Sequence, residues 1–430
     1  MSDAASIHSL VDHFFRHQSG KLVAVMTRVF GLQNLELVED VVQGALVQAL
    51  EAWKIHGVPE DPAAWMYRVA RNKALDVIRH RDVADRLNPE WTRLVGRDEG
   101  SDPLSLLFLS HEIADSQLRM IFTCCHPQLP EESQIALTLK TLCGFSTPEI
   151  ARALLTTEAN VKKRIARAKR KFIDEEIQFE VPSGDALKAR LGSVHTVLYL
   201  LFNEGYSSSQ PYELIRRDLC EEAIRLCLLL FDHPASTNSE TAALLALMLL
   251  HASRFDARLD ESGNILLLEE QDRGRWNQNL IERGIYYLNE AASGDHISRY
   301  HLEAAIAAHH SIAAGFAETN WAAILLLYDD LTQLHPSPIH ELNRAIAVAQ
   351  VSGPDAGIAA IQRIRGLESL EDYHLLHATL GELHRRAGRA EEARRCFRRA
   401  MECTVSVSEQ RLLERKLHDC DVLADSAKQI

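Results

Sequence analysis

Apolar residues recur at intervals of three and four positions along most of the 430-residue chain. That is the spacing of one face of an α-helix. Runs that alternate apolar and polar residues, and Asn-Gly turns that would join two strands, are almost absent. The exception is RLDESGNILLLE, residues 258–269, which predicts a small hairpin around Ser262, Gly263 and Asn264. The pattern therefore predicts an all-α protein with at most one short pair of strands.

Two polar segments interrupt the helical periodicity. The first begins near Asp82, is charged, and contains Asn88-Pro89 and Gly100-Ser101, which are typical of a linker. The second is VPSGD, residues 181–185. The organisation we expect is a small helical domain at 1–82, a linker at 83–115, a second small helical domain at 116–180, and a long helical body at 185–430.

Two similar segments stand near the end of the body: AIAVAQVSGPDAGIAAIQRI and ATLGELHRRAGRAEEARRCF. They align with Gly353 opposite Gly388 and Ala360 opposite Ala393. Their period of roughly 34 residues is the length of a tetratricopeptide helix pair. We interpret them as tetratricopeptide-like repeats; the alternative is a generic helical bundle with a chance match.

Composition narrows the class of function. A formal net charge of -13 argues against a protein that coats nucleic acid, because such binding needs a surplus of cations facing the phosphates. The 8 cysteines form no Cys-x-x-Cys pair, which indicates buried thiols in a reducing compartment. The N-terminus has no apolar signal core, and no apolar run could span a bilayer. We therefore expect a cytoplasmic protein without membrane contact.

Two sets of residues could suggest a metal site or acid catalysis, but their sequence context supports neither. A metal site needs three or four convergent ligands, and His126, the pair His309-His310, and His374 with His377 are isolated on amphipathic stretches. No nucleophile, base or phosphate-binding loop accompanies the acidic group Glu269, Glu270 and Asp272, for which we expect a structural role near Arg273 and Arg275. The sequence thus predicts no metal, no cofactor and no enzymatic activity.

The segment WMYRVARNKALDVIRHR, residues 65–81, predicts a helix with one apolar and one polar face. Arginine and lysine can contact phosphates, while asparagine and arginine can read base edges. On periodicity alone, an ordinary solvated helix explains this segment equally well. The apolar face comprises Met66, Ala70, Ala74, Val77 and Ile78; the polar face comprises Arg68, Asn72, Asp76 and Arg79, with Arg71 and Lys73 at its edges.

A second segment, residues 136–172, predicts a helix-turn-helix. We expect a break at Gly144, a helix capped by Ser146 or Thr147 in a capping box with Glu149, a turn at 156–157, and a final helix. A helix that is apolar on one side and basic on the other suits the major groove. The apolar stripe is Val161, Ile165, Ala168 and Phe172, and the outward polar side chains are Asn160, Lys163, Arg164, Arg167 and Arg170. A solvated cationic helix does not explain why cations cluster in an acidic chain.

These motifs, in this order and spacing, resemble an extracytoplasmic-function sigma factor, the minimal two-domain type of sigma-70 relative, over residues 7–172. The resemblance implies that VEDVVQGALVQALEAW, residues 38–53, grips core RNA polymerase through Glu39, Asp40 and Gln43. It also implies that the helix at 65–81 melts and reads the -10 promoter element, and that residues 136–172 read the -35 element. Gly44 departs from the family, which usually carries an acidic residue there.

The body also resembles a known extension. VLYLLFNEGY, RRDLCEEAIRLCLLL and LLEEQDRGRWN are similar to the C-terminal region of a sigma subgroup that ends in tetratricopeptide-like repeats. The resemblance implies a body that regulates or supports activity, through the sigma domains themselves, a regulatory protein or a ligand. Two alternatives act without polymerase: a one-component helix-turn-helix regulator and a helical-repeat scaffold. The helix at 38–53 distinguishes a sigma factor from both alternatives, because only a polymerase subunit needs it.

Overall fold

The computed structural model describes residues 2–80, 107, 109–154, 156–207, 214–234 and 236–428. Every regular element within these residues is a helix, which confirms the all-α prediction. Residues 258–269 form a single antiparallel bridge between Leu259 and Ile265 instead of a hairpin of two strands. The carboxylate of Asp260 accepts hydrogen bonds from the backbone N–H groups of Ser262 and Asn264, at 2.9 and 2.8 Å, and closes this turn.

The chain divides into two compact units. The first comprises Met1–Phe202 and Glu221–Ser236, and the second comprises Asn203–Cys220 and Thr237–Ile430. Helices of the first unit are α1 (Ser2–Phe30), α2 (Leu35–His56), α3 (Pro62–His80), α4 (Ser110–Cys124), α5 (Glu131–Thr141), α6 (Thr147–Ala153), α7 (Glu158–Asp174), most of α8 (Gly184–Tyr206) and most of α9 (Arg217–Asp232). Helical structure thus resumes at α4, before the end of the segment 83–115.

Local sequence explains where α2 ends and where α3 begins. Val38 and Ala45 of α2 are buried on one face of the helix, as their spacing predicts. The helix ends at Gly57, whose φ of 80° is a conformation that glycine adopts without a steric penalty. Asp61 precedes the proline that begins α3 and accepts a hydrogen bond from the N–H of Ala64 at 2.9 Å, so α3 starts with a side-chain cap.

Helices α5, α6 and α7 form the predicted helix-turn-helix. Gly144, at φ 66°, ends α5 and turns the chain toward α6. Ser146 and Glu149 form the expected reciprocal cap: the N–H of Ser146 donates to the Glu149 carboxylate at 2.7 Å, and the N–H of Glu149 donates to the Ser146 hydroxyl at 3.4 Å. Thr157 caps α7 by accepting from the N–H of Asn160 at 3.3 Å. The predicted break, capping box and order of helices are confirmed for this segment.

Helix α1 packs closely against the helices that follow the linker. A Cβ added at Gly20 would lie 1.9 Å from the carbonyl oxygen of Leu142, at the end of α5, so only glycine permits this approach. The guanidinium of Arg28, near the end of α1, forms salt bridges with Glu112 and Asp115 of α4. The first three helices and the helix-turn-helix therefore share one compact unit.

Helices of the second unit are α10 (Ser239–Ala252), α11 (Gln278–Ala291), α12 (Arg299–Ile312), α13 (Trp321–Leu334), α14 (Pro338–Ser352), α15 (Pro354–Ile361), α16 (His374–Arg386), α17 (Ala390–Cys403) and α18 (Val407–Lys428). Gly353 joins α14 to α15 at φ 91°, and Gly388 joins α16 to α17 at φ 73°. The two aligned segments are thus two helix pairs with equivalent glycine turns. Their assignment as tetratricopeptide repeats stays a prediction.

Candidate nucleic-acid interface

Helix α7 presents a basic surface opposite a buried apolar face. Val161, Ala168 and Phe172 are buried and Ile165 is half-buried, as the periodicity predicts. Asn160, Lys163, Arg167 and Arg170 are exposed. Because α7 contributes one face to the core, the opposite face projects these side chains into solvent, where a major groove can receive them.

The cations of α7 fall into two groups. Lys163, Arg167 and Arg170 have no carboxylate within salt-bridge distance among the described residues, so their charges are available to a partner. Arg164, by contrast, is half-buried and pairs with Glu132 of α5 at 2.5 Å. The sequence placed Arg164 with the outward residues, but in this structure its guanidinium is engaged by the neighbouring helix.

The N-terminal turn of α7 is the most precisely held part of this surface. Besides receiving the cap from Thr157, Asn160 donates its side-chain amide to the hydroxyl of Thr156 at 3.3 Å. In helix-turn-helix proteins the first residues of the recognition helix contact base edges. An ordered asparagine at that position loses less rotamer entropy when it binds a base than a freely rotating one would.

Helix α3 carries the second polar face. Met66, Ala70 and Ala74 are buried, which confirms the predicted apolar stripe; Arg68, Asn72 and Asp76 are exposed, and Arg71 and Lys73 are half-buried. The guanidinium of Arg71 donates to the side-chain oxygen of Asn72 at 3.2 Å. The side chains of Ile78 and Arg79 lie outside the described residues.

Helix α2 places the three residues implied in polymerase contact in different surroundings. Asp40 and Gln43 are exposed. Glu39 is half-buried, and its carboxylate accepts from the ammonium of Lys169 in α7 at 2.7 Å. A residue of the expected polymerase surface is therefore bonded to the helix expected to read DNA. Sequence spacing could not reveal this contact, since the two residues are 130 positions apart.

Two apolar residues of α2 are exposed, which the sequence did not lead us to expect. Val47 is 53% exposed and Leu50 is 48% exposed. Together with Asp40 and Gln43 they follow the helical spacing of three and four, so these four side chains form one solvent-facing stripe. Exposed apolar residues beside polar ones mark interaction surfaces. The signal in the sequence was a second apolar stripe opposite Val38, Val42 and Ala49.

Gly44 lies beside α3. A Cβ added there would meet the side chain of Lys73, with the nearest atom, Nζ, at 3.4 Å. That is an ordinary contact distance, so the packing does not require a glycine at this position. The ammonium of Lys73 stands where an acidic side chain on α2 would find a partner.

The other candidate chemical groups have structural roles. Glu270 pairs with Arg415 at 2.9 Å, and Asp272 accepts from the N–H of Gly274 at 2.8 Å. His374 pairs with Glu409 at 3.1 Å. Among the described residues, no group of three or more His, Cys, Asp or Glu side chains could hold a metal ion.

The cysteines also have the role that their surroundings predict. Six of the eight are buried and two are half-buried, and all are free thiols. Burial raises the pKa of Cys124 to about 12, although hydrogen bonds with Thr141 and Thr138 oppose the rise. Such a thiol stays protonated and unreactive at neutral pH. Within the described part of the chain, no helix is both long and apolar enough to cross a membrane.

Three family models match the chain. Residues 14–83 match sigma-70 region 2, which covers α2 and α3. Residues 119–172 match sigma-70 region 4, which covers the helix-turn-helix. Residues 190–292 match a family of unknown function, DUF6596. The two candidate surfaces described above thus lie in the two sigma-70 regions.

Curated relatives agree with these matches. The ECF RNA polymerase sigma-E factor of Escherichia coli K12 is 33% identical over 149 residues, 33% of this chain and 74% of that protein. The sigma-E factor of Haemophilus influenzae is 27% identical over 169 residues, 38% of this chain and 84% of that protein. The uncharacterized protein R00370 of Rhizobium meliloti is 40% identical over 386 residues, 90% of both chains. No solved structure matches the chain.

Proposed function

The chain belongs to the extracytoplasmic-function family of RNA polymerase sigma factors, and from this premise we propose which surfaces perform the sigma function. A sigma factor binds core RNA polymerase and directs initiation at promoters. In this chain α7 reads the -35 element and α3 reads the -10 element. The exposed stripe of α2 binds core polymerase. The proposed base and phosphate contacts are Arg68, Arg71, Asn72, Asp76, Arg79, Asn160, Lys163, Arg164, Arg167 and Arg170.

One observation supports this assignment most strongly. The exposed cations of α7 have no carboxylate partners among the described residues, although the chain as a whole carries a net charge of -13. Uncompensated cations on a structured helix attract phosphates, and Asn160 at the first turn supplies a side chain that can read a base edge. The acidic remainder keeps affinity for free DNA low, so polymerase must deliver the protein to its promoter.

The polymerase surface combines Asp40 and Gln43 with the exposed apolar residues Val47 and Leu50. Burial of apolar side chains supplies most of the affinity of a protein interface, while polar residues set its register. This surface is therefore more than the three polar residues Glu39, Asp40 and Gln43 that family resemblance implies. Gly44 adds no side chain to it.

The contact between Glu39 and Lys169 belongs to a closed form of the protein. The -35 and -10 elements lie about 25 base pairs apart, on the order of 80 Å along B-DNA. In the first unit, α1 touches the end of α5 at Gly20, and Glu39 of α2 holds Lys169 of α7. These contacts must break before α3 and α7 can occupy both promoter elements. Polymerase binding drives that opening by competing for Glu39.

The body supports the sigma domains through its first two helices. Arg190 of α8 is 8% exposed and donates to the carbonyl oxygen of Phe122, in the last turn of α4, at 3.1 Å. A cation at that end of a helix is favourable because the free carbonyl groups are partly negative. Glu222 and Arg225 of α9 lie close enough to Lys21 of α1 to influence its pKa, which burial lowers.

In vitro transcription with core polymerase tests the proposal. We expect the purified full-length protein to add promoter-specific initiation to core enzyme that lacks any other sigma factor, and to bind free duplex DNA weakly. The substitution Arg190→Gln should reduce this activity, because it removes a buried contact between the body and α4. Tight, sequence-specific binding to duplex DNA without any association with core would instead support the one-component regulator.

A further inference from the structure

Two arginines of the second unit stack on one buried tryptophan, and a third arginine nearby stacks on a tyrosine. The guanidinium carbon of Arg273 lies 4.1 Å from the centre of the Trp276 ring, and that of Arg254 lies 5.2 Å from it. Arg258 stands one turn beyond Arg254 and stacks 3.8 Å from the ring centre of Tyr206. These residues lie within the region that matches the family of unknown function.

The three positive charges have no acidic partner. Among the described residues, no carboxylate oxygen lies within salt-bridge distance of Arg254, Arg258 or Arg273. The neighbouring acids are engaged elsewhere: Asp256 pairs with Arg217, and Glu270 pairs with Arg415. Clusters of partly buried cations without counter-charges are costly, so proteins rarely keep them without a ligand or a compensating dipole.

Helix dipoles compensate two of the three charges in part. Arg258 donates to the carbonyl oxygen of Tyr206, at the end of α8, and Arg273 donates to that of His310, in the last turn of α12. The guanidinium of Arg254 donates to the side-chain oxygen of Gln271 at 3.2 Å, and no described carboxylate pairs with it. Burial lowers the pKa of Arg273, and the carboxylate of Glu318 lies close enough to oppose that shift by favouring the charged form, but the two side chains form no salt bridge.

Two hydrogen-bond donors in this cluster are buried without an acceptor. Trp276 is 3% exposed and its indole Nε1–H has no partner, and Nη2 of Arg273 has none either. Indole and guanidinium groups can only donate. Nearly all buried polar groups in proteins are hydrogen-bonded, so two unpaired donors beside three cations point to an acceptor that carries negative charge.

His310 is consistent with the same electrostatic picture. Its Nδ1 is also buried without a partner. Burial and the charges of Arg254 and Arg273 lower its pKa to about 4, so the ring is neutral at pH 7. The histidine therefore adds no further positive charge, and the arginines alone define the sign of the site.

We propose that this cluster is a binding site for a small oxyanion, a phosphate or carboxylate group, which accepts hydrogen bonds from Trp276 Nε1 and Arg273 Nη2 and neutralises Arg254. An ordered water molecule could accept the two hydrogen bonds but would leave Arg254 without a counter-charge. Although the chain has more acidic than basic side chains, none of the described carboxylates forms a salt bridge with these arginines. An oxyanion satisfies both the donors and the charges.

Thermal unfolding of the full-length protein in different anions tests this site. Inorganic phosphate and acetate are each compared with chloride at equal ionic strength, which distinguishes a phosphate ligand from a carboxylate ligand. We expect one of them to raise the unfolding temperature saturably, by roughly 2–4 °C at about ten times its dissociation constant. Arg254→Gln and Trp276→Phe should each abolish most of the rise, because they remove the free cation and the buried donor.

Arg275→Gln provides the matched control, since this arginine lies in the same loop but is exposed, and its side chain forms no hydrogen bond or ion pair with the described residues of the cluster. It should keep the full anion response. Trp276→Phe retains the ring that packs between the arginines, so the variant should still fold; its circular dichroism spectrum checks this. Equal unfolding temperatures in all three anions, or a rise that persists in Arg254→Gln, would show that no oxyanion binds at this cluster and would overturn the proposal.

Discussion

Helices α7 and α17 are both amphipathic and rich in cations, yet they use their cations in opposite ways. In α7, Lys163, Arg167 and Arg170 face solvent without a carboxylate partner among the described residues. In α17, Arg394 pairs with Glu391 and with Asp421, and Arg399 pairs with Asp372 and Glu402. Helix α7 leaves its cations available to a binding partner, while most arginines of α17 form ion pairs within the fold.

The local sequence explains part of this difference in how the two helices use their cations. No acidic residue stands between Glu158 and Asp174 in α7, whereas α17 begins with Glu391 and Glu392, three positions before Arg394 and Arg395. Residues three and four apart on a helix are neighbours, so the α17 arginines find partners on their own helix. A basic helix is therefore a candidate for DNA binding only when its own turns lack the acids that would neutralise it.

The largest effect should come from removing a free cation of α7. We expect Arg167→Ala to weaken promoter recognition by roughly 1–3 kcal/mol if the side chain contacts a base, about fivefold to 160-fold in open-complex formation. Transcription from promoters altered one position at a time in the -35 element measures the loss. A base contact relaxes preference at one position, while a phosphate contact weakens all promoters equally.

Arg398→Ala is the matched control for this substitution. Arg398 is an exposed arginine of α17, so the substitution removes the same charge from a helix that we do not assign to DNA. Its holoenzyme should initiate normally. The comparison between the two helices would fail if Arg398→Ala impaired initiation as much as Arg167→Ala, because exposed arginine would then matter wherever it lies.

A smaller effect should follow from breaking the ion-pair network beside α17. Glu382 of α16 accepts from Arg385 at 2.6 Å and from Lys416 of α18 at 3.0 Å. We expect Glu382→Gln to destabilise the protein by roughly 1–2 kcal/mol, since Lys416 is 8% exposed and would lose its charged partner. The variant should leave promoter preference unchanged. Denaturant unfolding, together with transcription assays, checks both expectations.

The stability difference between wild type and Glu382→Gln should depend on pH in a defined direction. Burial alone would raise the pKa of Glu382, but the hydrogen bonds and charges of Arg385 and Lys416 hold it below its ordinary value. The unfolded chain therefore takes up a proton on Glu382 before the folded chain does, and stability falls as the pH drops through that window. The gap between wild type and Glu382→Gln should be full at neutral pH and shrink below about pH 4.5. A gap that widens in acid would contradict the assignment.

The smallest effect should come from the one ion pair that α7 makes with α2. Lys169→Met removes the partner of Glu39. The side chains of Lys169 and Glu39 are both partly exposed, and such a pair contributes about 0.2–1 kcal/mol to stability. We expect affinity for core polymerase to rise by up to about fivefold, because Glu39 no longer has to be released. Fluorescence titration with core measures it. Weaker binding would mean that Lys169 itself touches polymerase and that the closed form plays no part.

Much of the first unit was predictable because its signals are local. The capping box of Ser146 and Glu149, the break at Gly144 and the buried stripe of α7 each depend on residues within a few positions of one another. The same reasoning misjudged the surroundings of Arg164, which points away from the stripe but meets Glu132 of α5. It also overlooked Val47 and Leu50, because an apolar residue in a helical pattern is ordinarily assigned to the core.

By itself, the sequence determined the helices, their caps and turns, and the division of α3 and α7 into apolar and polar faces. Backbone hydrogen bonding and helical periodicity link residues three or four apart, so these features can be read along the chain. Only the tertiary structure decided which polar groups meet partners far away in sequence. Glu39 meets Lys169, and the backbone at Gly20 touches Leu142. Arg254 and Arg273 meet at Trp276, where no described carboxylate forms a salt bridge with them. Such contacts depend on how whole helices pack, since packing brings together side chains that no local spacing relates.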